Sequence, residues 1–243
     1  MPDVIASPMD AATAQQFREA GVWRDQTIYN VVADHARARP DAVALRSSFR
    51  ALSWRHLVDL VDAFAADLMS RGLKRGNTIF VGAPNREETV IALLAASRDG
   101  FICCPSPHRN HTVAEIADMC ARASCAAYVH SPGYGSDAEG DEILTAISGL
   151  PSLSHVYRLE PPDHRKPLSG LLRPDSPAAG QPNGNPDLVT YLAFTSGSTG
   201  RPKGVMHSDN SQLVAARGIA ESWSFGPNTV TCSLSPFSHN LGC

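Results

Sequence analysis

Apolar residues recur at helical spacing through Trp54, Leu57, Val58, Val61, Phe64, Ala65 and Leu68, with Ser53 before them and Gly72 after. That period predicts an amphipathic helix, capped by the Ser53 hydroxyl and closed by a glycine free to turn left-handed. Thr27 is placed to cap another helix, with Ile28, Val31, Val32 and His35 along one side and Pro40 closing it. Residues 87–98, ended by Gly100, form a third, and Thr112 with Glu115 makes a capping box that opens a helix carrying Val113, Ile116, Met119 and Cys120. Residues 143–147 predict a short helix. Between these stand runs that are apolar without alternation, at 42–45, 78–81, 101–104, 126–129, 156–159 and 188–194. Continuous apolar strands alternating with helices predict an α/β fold, with a largely parallel sheet covered by helices. The pattern carries no strand order.

Residues 160–187 break the rhythm. The stretch EPPDHRKPLSGLLRPDSPAAGQPNGNPD is rich in Pro and Gly with little apolar periodicity, and is expected to be an exposed, mobile connection.

Composition narrows the class. With 43% hydrophobic and 19% charged residues, the 243-residue chain has material for a sizeable core. Net charge is -3 and no basic stripe appears, which argues against nucleic acid as a partner. No run reaches the ~20 apolar residues of a membrane-spanning helix. The start, MPDVIASPMDAATAQQ, has neither the basic nor the apolar part of a secretory signal. The cysteines at 103, 104, 120, 125, 232 and 243 make no CxxC pair and read as reduced thiols, so a cytoplasmic protein is expected.

The chemistry is concentrated directly after the apolar run 188–194, in TSGSTGRPKGV at 195–205. Gly197, Gly200 and Gly204 permit positive φ and close backbone approach, so consecutive N–H groups can form an anion-binding nest. The hydroxyls of Thr195, Ser196, Ser198 and Thr199 add donors, and Lys203 adds a compact positive charge. Such a set suits a polyphosphate. A surface hairpin would explain the glycines, but not hydroxyls crowded with a cation after a buried strand. Other phosphate and nucleophile motifs fail: Lys203 is followed by Gly204 rather than Ser or Thr, GxGxxG is missing from the loop, and neither GxSxG nor SxxK is present.

TSGSTGRPKG resembles the signature loop [ST]SG[ST]TGxPKG of the adenylate-forming enzymes, which comprise acyl-CoA synthetases, beetle luciferases and peptide-synthetase adenylation domains. The segments GVWRDQTIYNVV, ALSWRHL and VGAPNREETVIALLAASRDG resemble the N-terminal regions of that superfamily, above all its cyclohexanecarboxylate-CoA and medium-chain acyl-CoA ligases. SPFSHNLG, at 235–242, is similar to its Pro-x-x-His-x-x-Gly segment near the acyl pocket.

The resemblance implies that 1–243 is a partial N-terminal AMP-binding domain, in which 188–243 form the phosphate-loop segment and the C-terminal lid is absent. It implies a two-step reaction: ATP and a carboxylic acid give an acyl-adenylate, then CoA takes the acyl group as a thioester, as in fatty acid metabolism. By the same resemblance, Thr195, Ser196, Gly197, Ser198, Thr199, Gly200, Lys203 and Gly204 would hold the ATP phosphates with Mg²⁺ bridging their oxygens, and His239 would line the acyl side. The later segments that hold ribose and Mg²⁺, and the late lysine, are not found, so the chain alone is expected to be inactive. The alternative is a truncated nucleotide-binding or protein-interaction module.

Two other clusters read as structural. Cys103 and Cys104 should face opposite sides of one strand and pack. His108 and His111 sit among prolines in CCPSPHRNHT without further ligands, so no metal site is assigned; this stretch departs from the more apolar pattern of the resembled enzymes.

Overall fold

The computed structural model describes residues 9–163, 171, 179–195 and 202–238. Local signals decide where its helices begin. The Thr27 hydroxyl accepts the Asn30 N–H to start α2 (Ile28–Ala38), and Ser53 accepts the His56 N–H to start α3 (Trp54–Ser70). Helix α4 (Glu87–Asp99) ends on Gly100, whose φ of 77° is the left-handed conformation that relieves the last turn. The capping box at Thr112 and Glu115 forms with both of its hydrogen bonds and opens α5 (Val113–Arg122). A short N-terminal helix, α1 (Ala11–Glu19), precedes these, and α6 (Glu142–Ile147) follows.

A small antiparallel pair, β1 (Val43–Arg46) with β2 (Ala51–Ser53), stands apart from the main sheet. The main sheet contains β3 (Thr78–Gly82), β4 (Ile102–Cys104), β5 (Cys125–His130), β6 (His155–Arg158), β7 (Val189–Thr195) and β8 (Lys203–Ser208). Their order is β6-β5-β3-β4-β7-β8. Every pairing is parallel except β7 with β8. The α/β architecture expected from the alternating pattern is therefore present, with one antiparallel edge strand.

Strand pleating divides the core between two faces. Ile79, Val81, Cys103, Ala127 and Val129 pack with α3 and α4, while Phe80, Cys104 and Tyr128 pack with α5 and α6. Cys103 and Cys104 thus point to opposite faces, as expected of neighbours on a strand. Burial, against the pull of hydrogen bonds from Ser106, pushes the Cys104 thiol up to about 12, which makes it a packing group. Tyr128 fits only because β3 ends in Gly82: a Cβ there would lie 2.0 Å from the tyrosine oxygen.

Four elements were not anticipated from the sequence: α1, β2, β8 and the helix after it, α7 (Asp209–Ser222). In the stretch 160–187, Glu160, Pro161, Pro162, Gly180, Gln181, Gly184 and Asn185 are exposed, while Leu171 and Pro186 are buried. Leu171 is buried in the core beside α3 and α4. Gly180 O accepts the Arg98 guanidinium at 2.5 Å, and Asn183 N donates to Arg98 O at 2.8 Å. The last turn of α4 leaves carbonyls without helical partners, and Asn183 satisfies two of them, Arg98 O through its N–H and Ser97 O through Nδ2 at 3.2 Å.

Candidate functional site

In an open parallel sheet, ligands bind beyond the carboxyl ends of the strands, where successive connections leave on opposite faces. Here the connections diverge between β3, whose α4 leads toward β4 on one face, and β5, whose α6 leads toward β6 on the other. A neighbouring crevice lies at the ends of β3 and β4, whose connections α4 and α5 also run on opposite faces. The loops at 83–86 and 105–111 form its walls.

The hairpin β7–β8 stands beside this crevice. Strand β7 pairs with β4 through Cys103 and Tyr191, and its carboxyl end reaches Thr195 at the same sheet edge. Pro105 has no N–H to continue the ladder, so β4 stops and the strands splay. Buried Ser106 takes over the bonding, its hydroxyl oxygen accepting the Phe194 N–H at 2.7 Å. Thr195 and Lys203 are paired on the last rung of the hairpin, and the Thr195 hydroxyl donates to Lys203 O at 3.4 Å. Both residues are exposed, as is Gly204. Register therefore brings one hydroxyl and one ammonium, of those expected to bind phosphate, to the exposed tip. Gly204 keeps the return strand close to β7, since a Cβ there would meet the Leu192 side chain at 3.1 Å. Ser196, Gly197, Ser198, Thr199 and Gly200 lie outside the described residues, and so does His239.

The segment leading to His239 is placed from the other wall. Asn85, in the loop after β3, donates through Nδ2 to Ser235 O at 2.8 Å and accepts the Phe237 N–H on Oδ1 at 2.7 Å. One side-chain amide thus mimics a strand rung and seats 235–237 at the crevice. Phe237 also lines a largely apolar cavity of about 210 Å³ with Ile28, Val90, Leu93, Leu94 and Tyr191, to which Thr190, Asp209 and Gln212 add polar groups. The part played by Asn85 was not foreseen. A lone asparagine in a Pro-Asn turn carries no signal of a partner 150 residues away.

Within the 105–111 wall the histidines brace the turn. His111 Nδ1 accepts the His108 N–H at 3.0 Å, and His108 Nδ1 accepts the Asn110 N–H at 3.2 Å. Burial pushes the His111 imidazole below its ordinary value, which suits the neutral, accepting form. The rings are turn-forming acceptors, as the surrounding prolines suggested.

Fold, loop position and crevice define an adenylate-forming architecture, and comparison with known proteins agrees. The chain belongs to the family of AMP-binding enzymes, whose sequence profile matches residues 32–243. The nonribosomal peptide synthetase AMT10 of Alternaria alternata is 27% identical over 256 residues, covering 97% of this chain and 25% of that protein. Apo MbtA of Mycobacterium smegmatis superposes with a TM-score of 0.79 and 26% identity, over 97% of this chain and 44% of its own. ATP-bound MatB of Rhodopseudomonas palustris shares the fold, with a TM-score of 0.73 and 22% identity over 89% of this chain and 41% of its own. The chain spans less than half the length of each of these relatives.

Proposed function

We propose that this chain forms part of a ligase that activates a carboxylic acid with ATP as an acyl-adenylate and then passes the acyl group to the thiol of CoA. The observation that carries the proposal is the placement of Thr195 and Lys203 on one rung, at the exposed hairpin tip beside the crevice. A carboxylate attacks a phosphate poorly because both are anionic, so activation requires donors fixed where charge accumulates. Thr195, Ser196, Ser198, Thr199 and Lys203 would hold the β- and γ-phosphates, with Gly197, Gly200 and Gly204 shaping the loop. A hydroxyl-rich donor set beside an ammonium fits a Mg-nucleotide, and bound Mg²⁺ supplies neutralisation of the phosphate oxygens. His239 would lie toward the acyl group, and the apolar cavity under Phe237 favours an acid with an apolar body.

The test is acid-dependent exchange of pyrophosphate into ATP by the full-length protein, across aliphatic, alicyclic and aromatic acids. Exchange should appear with only some of them, and its absence with every acid would sink the proposal. Lys203→Ala should raise the KM for ATP about tenfold through loss of a charge-assisted contact. An unchanged KM would remove Lys203 from the phosphate site. The kinship with AMT10, a peptide synthetase, favours a second acceptor, a carrier-bound thiol. AMP release that depends on a carrier protein and not on CoA would select that acceptor.

A further inference from the structure

Arg122 ends α5, and its side chain reaches across to the phosphate-loop hairpin. Its Nη2 donates to Pro202 O at 2.7 Å, on the return side. Its guanidinium carbon lies 5.3 Å from the centre of the Phe194 ring, on the outgoing side. Asp118, one turn earlier, pairs with Nη1 at 3.5 Å and orients the group. The side chain is 31% exposed, so it sits at the surface of the hairpin base rather than in the core.

We infer that Arg122 is a positioning residue for nucleotide binding, a clamp that grips both ends of the loop between Phe194 and Pro202. The inference rests on the ATP-binding role proposed above. Phe194 and Pro202 flank the residues that carry most of the proposed phosphate donors. Fixing the two flanking positions lowers the conformational entropy to be lost on binding an anion between them. A guanidinium suits this because its flat face stacks on a ring while its in-plane N–H groups remain free for a carbonyl. A lysine ammonium has the charge without the plane. Among the described residues Arg122 makes no hydrogen bond to a proposed donor, and the effect is assigned to binding rather than chemistry.

The test uses the full-length protein and two independent measurements. Hydrogen exchange over residues 195–204 reads the clamp whether or not the acid is known. Arg122→Ala should speed it about fivefold, the loss expected of one partly exposed charge-assisted bond. Pyrophosphate exchange should then show the KM for ATP raised by a similar factor, with kcat and the KM for the acid unchanged. Asp118→Ala, which leaves the Pro202 bond in place, should change either measurement by less than about twofold. Arg122→Lys should recover less than half of the lost affinity; full recovery would show that charge alone suffices and overturn the clamp. Unchanged amide exchange in Arg122→Ala would overturn it as well. If Arg122→Ala does not fold, Phe194→Leu removes the ring beneath the guanidinium and must show the same pattern. A wild-type protein with no pyrophosphate exchange at all counts against the proposed function, while the amide exchange still decides the clamp.

Discussion

Residues 54–159 and residues 202–238 are built on different terms. In the first stretch Val61, Phe64, Ile79 and Phe80 are completely buried, and helices cover the sheet on both faces. In the second, Ile219 is 53% exposed, Trp223 72%, Leu234 92% and Val230 93%. Directional polar contacts place this later stretch: Asp209 against Ser97 and Thr190, Arg122 on Pro202, Asn85 on 235 and 237, and Arg39 on Pro227 O. The apolar area removed from water, which scales with stability, is concentrated in the first stretch. The proposed phosphate and acyl contacts lie outside the first stretch, at 195–204 and at His239, in and beside the second. Stability and site geometry can therefore be perturbed separately.

The largest effect should come from Phe64→Ala. The ring packs edge-on against Tyr157 at 5.0 Å between centroids, and its removal leaves a cavity where neither α3 nor the sheet can collapse. A loss of about 3–5 kcal/mol is expected in denaturant unfolding. A loss below about 1 kcal/mol would mean that the first stretch is not held by packing, contrary to the usual cost of such a truncation.

Asp209 joins the two stretches, and replacing it should cost less. It is fully buried at the start of α7, where Oδ2 accepts Ser97 Oγ at 2.5 Å and Ile28 N at 3.0 Å, and Oδ1 accepts Thr190 Oγ1 at 2.5 Å. Asp209→Ala orphans these donors, for an expected loss of about 2–3 kcal/mol. Burial raises the carboxyl above its ordinary 3.8, although the hydroxyls and the N–H pull the other way. A raised folded value means that this group's contribution to stability is complete below the unfolded value and is lost as pH rises through the folded one. Asp209→Asn cannot titrate, so the difference in unfolding free energy between wild type and variant should fall as pH rises from about 4. A difference that grows with pH would refute the raised value.

The same division explains what could be read from the sequence. Thr27, Ser53 and Thr112 declared their helices because a cap and its N–H are only three residues apart. The apolar runs declared their strands through composition. Strand order stayed hidden because β3 lies between β4 and β5 only in space. Strand β8 went unseen because Lys203 to Ser208 mixes a cation, a glycine and polar groups, and its identity comes from the antiparallel register with β7. The expectation of exposure over 160–187 rested on Pro and Gly content, which says nothing about Asn183 and Gly180 satisfying the end of α4. Arg122 and Asn85 were missed for the same reason: each acts through one partner far along the chain.

The smallest effect on stability, and the sharpest test of the division, is expected from Asn85→Ala. Its two hydrogen bonds are exposed, so the change in unfolding free energy should stay within about 0.5 kcal/mol. The rung it forms with Ser235 and Phe237 orients the segment that leads to His239, and loosening that rung should reach the acid rather than the nucleotide. In the full-length protein the KM for the acid should rise about threefold, the value of one modest hydrogen bond, while the KM for ATP is unchanged. An equal rise for ATP would mean that Asn85 steadies the whole crevice and that the two walls are not independent. No change in either would reduce the Asn85 contact to a surface tether, and the seating of 235–237 would have to come from Phe237 in its apolar cavity.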